Sequence, residues 1–130
     1  MTVDALSIVH PAVQQITSGT KTIEIRSWLP PCLPLYSLAL VENHTYLHQD
    51  GEEDENGLLL AFVDVVGAHD WSLEEALRGD KQGRPGYHAW ELRSVRPLAN
   101  PVKAIAKRGV YPLEIDAAIW LQLQSGSGTR

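Results

Sequence analysis

The residues with the richest chemistry lie in one segment, 19–28, which reads GTKTIEIRSW. Lys21, Glu24 and Arg26 place three ionisable groups within six positions. A carboxylate held between two cations stays ionised and can accept a hydrogen bond or a proton. A guanidinium can grip a phosphate or a carbonyl, and the ring of Trp28 can stack on a base. The segment therefore suits nucleotide recognition or acid–base chemistry, and equally a ladder of surface ion pairs on an exposed strand face.

The predicted elements around this segment bring its charged side chains together. A short helix begins near Pro11 and ends at Gly19, and a strand of alternating residues follows at once. Because side chains alternate along a strand, Glu24 and Arg26 share one face. Lys21 lies at the corner between helix and strand, from which it can swing toward that face.

Length and composition indicate one globular domain over residues 1–124, with a loose Gly/Ser tail at 125–130. The chain has 130 residues, of which 44% are apolar, enough to bury a core without metals or disulfides. The predicted strands and helices together favour the α+β class, built as a compact β-barrel of five or six short strands with flanking short helices. Strands are expected over 21–28, 36–41, 58–66, 87–95, 102–105 and 110–115, and residues 5–9 form either a first strand or an extended entry. A polar loop is expected over 42–57, and helices after Pro11, over 73–77 and over 116–123.

Cysteine and hydropathy patterns indicate a cytoplasmic protein. Cys32 is the single cysteine, so an intrachain disulfide is excluded and a reducing compartment fits. The sequence has no run of about 18 apolar residues and no basic, apolar leader, so we expect neither a membrane span nor a signal peptide.

The charge is distributed unevenly along the chain. The formal net charge is −5, and five acids fall within residues 50–55. Between Arg84 and Arg108 there are six basic residues and one acid, Glu91. Such a basic stretch can follow a phosphate backbone, or it can be an ordinary solvated surface. The acidic run is predicted to be a solvated loop tip, with a lid that repels the wrong anions as the alternative.

Two parts of the sequence resemble the ASCH domain family of the PUA-like superfamily. Residues 5–8 (ALSI) and His10-Pro11 precede a G-x-K-x-x-E-x-R string, the hallmark of that family, which Gly19, Lys21, Glu24 and Arg26 match position by position. The later stretch 86–92 (GYHAWEL), with Arg96-Pro97-Leu98, is similar to the closing strands of the family. The resemblance covers roughly residues 4 to 115.

This resemblance implies a PUA-like barrel with a cleft between the barrel and the first helix. It also implies a role with single-stranded RNA, a nucleotide or a modified nucleoside. The residues expected to bind that ligand are Ser7, Lys21, Glu24, Arg26, Ser27, Trp28, Tyr87, His88, Trp90 and Arg93.

Catalysis is the main alternative that the resemblance raises. Some small ASCH proteins are amidohydrolases that deacylate N4-acetylcytidine, and others are ribonucleases. The amidohydrolases use a Lys, a Thr three residues later and a distant Glu. Lys21 matches the Lys, but Glu24 stands at the Thr position, and Glu74 and Glu75 lie in a plausible region for the distant Glu. In a hydrolase, Lys21 and Glu24 would be the catalytic residues, with Glu24 as the general base.

Three function classes therefore remain open: a binding module, a hydrolase acting on RNA or a nucleoside, and a protein-interaction adaptor. No cofactor is expected. No metal is expected either, because His44 and His48, four residues apart, do not by themselves make a zinc site.

Overall fold

Six strands form the main sheet of the protein, in the order β2-β6-β5-β3-β1-β8. The computed structural model describes residues 1–72 and 86–128. The elements in these ranges are β1 (Thr2–Val9), α1 (Ala12–Thr17), β2 (Ile23–Arg26), β3 (Leu35–Asn43), β4 (Glu53–Asp54), β5 (Leu58–Asp70), β6 (His88–Lys103), β7 (Ala106–Lys107), β8 (Val110–Glu114) and α2 (Ala117–Gly128). This content confirms the α+β prediction. The helix predicted over 73–77, with Glu74 and Glu75, lies outside the described residues.

Over the part of the chain that the structure describes, the sheet is open and does not close into the predicted barrel. Strands β1 and β3 pair in parallel, and every other pair in this sheet is antiparallel. The edge strands β2 and β8 have four and five residues and do not pair with each other. Strand β2 pairs with only the first four residues of β6, so it offers too short an edge for backbone closure.

Strands β1 and β3 are adjacent and contribute apolar side chains to both faces of the sheet, which fits their largely apolar sequences. One face packs around Leu6, Leu38 and Leu40, and α1 covers it with Val13 and Ile16. The opposite face packs around Ala5, Ala39, Val41 and Phe62, and α2 covers it. There the rings of Phe62 and Trp120 meet edge to face, with centroids 5.7 Å apart.

Two predicted boundaries are corrected by the long β-ladders. The polar loop expected from residue 42 begins later, because Glu42 and Asn43 are the last residues of β3 and are 3% and 2% exposed. The two strands predicted over 87–95 and 102–105 are largely one strand, β6, which passes Pro97 and Pro101 by means of shifts in its register with β5. No helix among the described residues is long and apolar enough to cross a membrane.

Candidate functional site

A cleft of about 710 Å³ lies where β1, α1 and β2 meet. Five of the predicted ligand-binding residues line it: Ser7, Lys21, Glu24, Arg26 and Trp28. Residues that sequence reasoning did not assign to it also contribute, namely His10, Gln15, Asn43, Tyr46, Asp50 and Arg108. The cleft adjoins the first helix, and loops distant in sequence supply part of its lining.

A buried ionic triad forms the floor of the cleft. The Glu24 side chain is 7% exposed. Its Oε1 lies 3.2 Å from Lys21 Nζ, and its Oε2 lies 2.9 Å from Arg26 Nη2 and 3.1 Å from Arg26 Nε. A buried carboxylate requires such partners to offset its lost hydration. The ion pairs of the alternative prediction are thus present, but they do not lie on an exposed face, because Glu24 is buried between Lys21 and Arg26.

The local chain path places Lys21 within reach of Glu24. Gly19 has a φ of +85°, a left-handed conformation that glycine adopts without strain, and it turns the chain sharply after α1. The Lys21 amide then donates to the Gln15 carbonyl at 3.1 Å, which fixes the corner before β2. The glycine and the spacing of the G-x-K-x-x-E-x-R string thus have a direct structural reason.

Arg26 also ties the two walls of the cleft together. Its Nη2 donates to the Ser7 carbonyl oxygen at 3.0 Å, in addition to its bonds with Glu24. The hydroxyl of Ser7 donates to the Lys107 carbonyl. Ser7 therefore shapes the cleft through its backbone, while its side chain anchors β7.

The two tryptophans near the cleft have different places. Trp28 is half-buried and lines the cleft. Trp90 is fully buried, packs edge to face against Trp28 with centroids 4.9 Å apart, and donates its indole N–H to the Trp28 carbonyl at 3.1 Å. Arg26 Cζ lies 5.9 Å from the Trp28 ring centroid. Trp90 thus supports the ring of Trp28 from within the core and is not itself on the cleft surface.

The other predicted ligand-binding residues lie outside the cleft lining. Ser27 is exposed, and the Arg93 guanidinium donates to the neighbouring Leu92 carbonyl at 2.8 Å. The Tyr87 carbonyl accepts from the Trp71 amide at 2.9 Å. His88 Nδ1 lies 3.5 Å from Asp70 Oδ1. The structure therefore brings five of the ten predicted residues together in the cleft and places the other five outside its lining.

Acids from distant parts of the chain neutralise much of the late basic stretch. Arg96 pairs with Asp64 at 3.0 Å. Lys107 pairs with Glu53 at 3.4 Å, and Arg108 pairs with Asp50 at 3.6 Å. Within the described residues, the run at 50–55 is therefore not simply a solvated tip: its residues 53–54 form β4, which pairs with β7. This arrangement argues against a continuous phosphate track along residues 84–108, of which Arg84 lies outside the described part.

A second buried glutamate, missed by sequence reasoning, lies at the end of β3. Glu42 Oε2 is 3.2 Å from His10 Nδ1 and accepts from Gln14 Nε2 at 3.3 Å. Its Oε1 lies 4.0 Å from His44 Nε2. The rings of His10 and His44 stack, with centroids 4.9 Å apart. Only the parallel pairing of β1 with β3, in which Ile8 faces Glu42, could have indicated this juxtaposition.

Asn43 adds a buried polar group beside the cleft. Its Nδ2 donates to the Thr45 carbonyl, whereas its Oδ1 has no hydrogen-bond partner within the described residues. Buried acceptors of this kind are rare and call for an explanation.

Comparison with known proteins adds one match. The model of the ASCH domain family matches residues 6–106, which include every residue of the triad, Trp28 and Glu42. No curated protein matches the chain.

Proposed function

The chain belongs to the ASCH domain family, and on this basis we propose that it is a nucleotide-binding module. Its cleft takes a single nucleoside or nucleotide unit, either free or as part of a single-stranded RNA. The same family membership supports assigning the six-stranded sheet to the PUA-like architecture.

The observation that carries the proposal is the triad of Lys21, Glu24 and Arg26 beside Trp28 in one cleft. A Lys ammonium has three donors and an Arg guanidinium has five. Lys21 directs one of its N–H donors to Glu24. The Nη1 group of Arg26 has no hydrogen-bond partner among residues 1–72 and 86–128. These remaining donors suit the acceptor oxygens of a phosphate or a base carbonyl, and Trp28 suits a flat ring.

The volume and charge of the cleft favour one nucleotide unit over a long tract. A volume of about 710 Å³ falls within the roughly 300–1,000 Å³ range of small-molecule sites. Lys21, Glu24 and Arg26 together carry one net positive charge, and Arg108 at the rim is offset by Asp50. We therefore expect recognition of a base and at most one or two phosphates.

Calorimetric titration of the full chain tests this proposal. The ligand panel contains cytidine, N4-acetylcytidine, the nucleoside monophosphates and short single-stranded RNAs. We expect Arg26→Lys to weaken binding about tenfold, because it removes the forked guanidinium donors while keeping the charge. Arg93→Lys is the matched control, since Arg93 is exposed and lies outside the cleft lining.

The salt dependence separates one-unit recognition from a phosphate track. For a single-stranded ligand the logarithm of affinity falls with the logarithm of salt concentration with a slope of about −0.7 per neutralised phosphate. We expect a slope shallower than about −1.5, and a slope of −4 or steeper would overturn the proposal. Absence of binding to the whole panel, or an equal loss in Arg93→Lys, would also refute it.

A second candidate function is hydrolysis, favoured by one contact. Lys21 Nζ and Glu24 Oε1 lie 3.2 Å apart within the cleft, a distance that permits proton transfer. The test is incubation of wild type and Lys21→Ala with short RNAs and N4-acylated cytidines, followed by mass spectrometry. Loss of an acyl group or a chain break with wild type alone would establish an enzyme and identify its reaction. An unchanged mixture would leave binding as the function.

A further inference from the structure

We propose that His10, Glu42 and His44 form a binding site for one divalent transition-metal ion of the zinc type. The three residues offer two imidazole nitrogens and one carboxylate oxygen, and these donor atoms all lie within 4.8 Å of one another. The site is separate from the triad of Lys21, Glu24 and Arg26 and goes beyond nucleotide binding.

The distances between the donor atoms fit a shared metal ion. Two donors bound at about 2.0 Å in a tetrahedron lie roughly 3.3 Å apart. Glu42 Oε2 lies 3.2 Å from His10 Nδ1, and Glu42 Oε1 lies 4.0 Å from His44 Nε2. The His44 distance is longer than the tetrahedral value, so metal binding requires a rotation of the His44 ring, whose side chain is 61% exposed and stacks on His10.

Glu42 is a buried charge that lacks a permanent cation. Its side chain is 4% exposed. Glu24, equally buried, has both a lysine and an arginine, whereas no Lys or Arg pairs with Glu42 among the residues that the structure describes. The neighbours of Glu42 are one neutral amide, from Gln14, and two imidazoles. Buried charges are normally paired or bind metals, and a divalent cation held by these imidazoles would compensate this one.

The surroundings of Glu42 also match those of a metal ligand. Ligating carboxylates are usually held by an outer hydrogen bond, and Gln14 Nε2 supplies one to Glu42 Oε2 at 3.3 Å. Gln14 lies on α1 and Glu42 ends β3, so two rigid elements fix the carboxylate. Gln14 is therefore a positioning residue for the site.

The donor set selects the class of metal. Imidazole nitrogen suits zinc, copper, cobalt and nickel ions, whereas calcium and magnesium prefer oxygen ligands alone. Two histidines and one carboxylate leave one tetrahedral position open, which is typical of sites that also take water or a substrate. Because His10 lines the cleft, the metal site adjoins the proposed nucleotide site at this residue.

The experiment uses the tag-free full chain after removal of metals with a chelator. Zn²⁺ affinity is measured by competition with a chromophoric chelator, and Co²⁺ is titrated as a spectroscopic probe of coordination. We expect one equivalent of each ion to bind, with visible Co²⁺ absorption bands that saturate at one equivalent. His44→Ala and Glu42→Gln should weaken Zn²⁺ binding at least about 100-fold, and Gln14→Ala about tenfold.

His48→Ala is the matched control, because His48 is exposed and its ring stacks on Tyr46 outside the cluster. It should bind Zn²⁺ as wild type does. Thermal unfolding of each metal-free variant verifies that it is folded. Failure of wild type to bind either ion, unchanged binding in His44→Ala, or an equal loss in His48→Ala would each overturn the proposal.

Discussion

Arg26 donates a hydrogen bond to the backbone carbonyl of Ser7 across the width of the sheet. Arg26 lies on β2 and Ser7 on β1, and three strands, β6, β5 and β3, separate them in the hydrogen-bonded order. In a flat sheet, four steps of about 4.8 Å would place these strands roughly 19 Å apart, beyond the reach of an arginine side chain. The sheet therefore curls strongly, and a side chain joins the edge strand β2 to β1, with which β2 makes no backbone pairing.

This link makes the stability of the fold depend on a residue of the candidate site. Arg26→Gln removes the bond to Ser7 and one of the two cations beside Glu24, so we expect it to lower the free energy of unfolding by about 2 kcal/mol. Adding Glu24→Gln should restore part of this loss, because the carboxylate is then no longer a buried charge short of a partner. Denaturant unfolding of both single variants and the double variant measures the coupling. Strictly additive losses in the double variant would contradict a coupling between Arg26 and Glu24.

Substitutions at Trp28 and Tyr36 distinguish stacking of the ligand on Trp28 from a general effect of removing an aromatic ring. Trp28→Ala should weaken nucleotide binding by roughly tenfold to a hundredfold, because stacking of a base on an aromatic ring contributes about 1–3 kcal/mol. Tyr36→Ala is the control, since Tyr36 is 66% exposed and does not line the cleft. Titration calorimetry on folded variants checks both. Wild-type affinity in Trp28→Ala would exclude stacking on this ring.

Gly57 marks a close approach between two chain segments. A Cβ at this position would collide with the Ala104 carbonyl oxygen and lie 2.9 Å from Val41 Cγ1. The backbone cannot yield easily, because the Ala104 amide donates to the Gly57 carbonyl at 2.9 Å. Gly57→Ala should therefore lower the free energy of unfolding by about 1–3 kcal/mol.

Gly51→Ala provides a contrast for the Gly57 experiment. A Cβ at Gly51 meets no atom within 4 Å, so only the strain of its φ of +92° applies. That strain costs about 1 kcal/mol. Thermal or denaturant unfolding compares the two variants, and a smaller effect at Gly57 than at Gly51 would refute the close approach.

Because of Tyr111, the free energy of unfolding should fall as the pH rises through the alkaline range. Burial raises the pKa of Tyr111 from 10.0 to about 12. Its hydroxyl donates to the Ile105 carbonyl at 2.9 Å. The unfolded chain releases the phenol proton near pH 10, whereas the folded chain retains it up to about pH 12. The contribution of Tyr111 to the free energy of unfolding is therefore full below pH 10 and is lost as the pH rises to about 12.

Tyr111→Phe isolates this effect. Below pH 10 the variant should be less stable than wild type by about 1 kcal/mol, because the hydrogen bond to Ile105 is missing. Between pH 10 and pH 12 the gap should close and then reverse, since only wild type loses stability through this phenol and the rise of its pKa from 10.0 to about 12 outweighs a gap of about 1 kcal/mol. Urea unfolding across this range measures the gap, and Tyr36→Phe, exposed in wild type, should run parallel to wild type. A constant gap between Tyr111→Phe and wild type would contradict the assignment.

The sequence alone determined the parts of the site that are close together along the chain. Lys21, Glu24 and Arg26 meet because a glycine turn followed by strand alternation puts them on one side, and both features can be read from local spacing. The apolar runs likewise predicted the central strands and the α+β class, because burial on both faces leaves a continuous pattern.

Tertiary structure decided everything that depends on strand pairing across long separations. The parallel register of β1 and β3 brings His10 beside Glu42 and His44. The separate pairing of β4 with β7 brings Glu53 to Lys107, and Asp50 lies near Arg108. The burial of Trp90 and the openness of the sheet follow in the same way from how β6 pairs. Counting charges along the chain cannot reveal such contacts. Ion pairs and metal sites depend on distances in space, and the pairing of strands that are far apart in the sequence sets those distances.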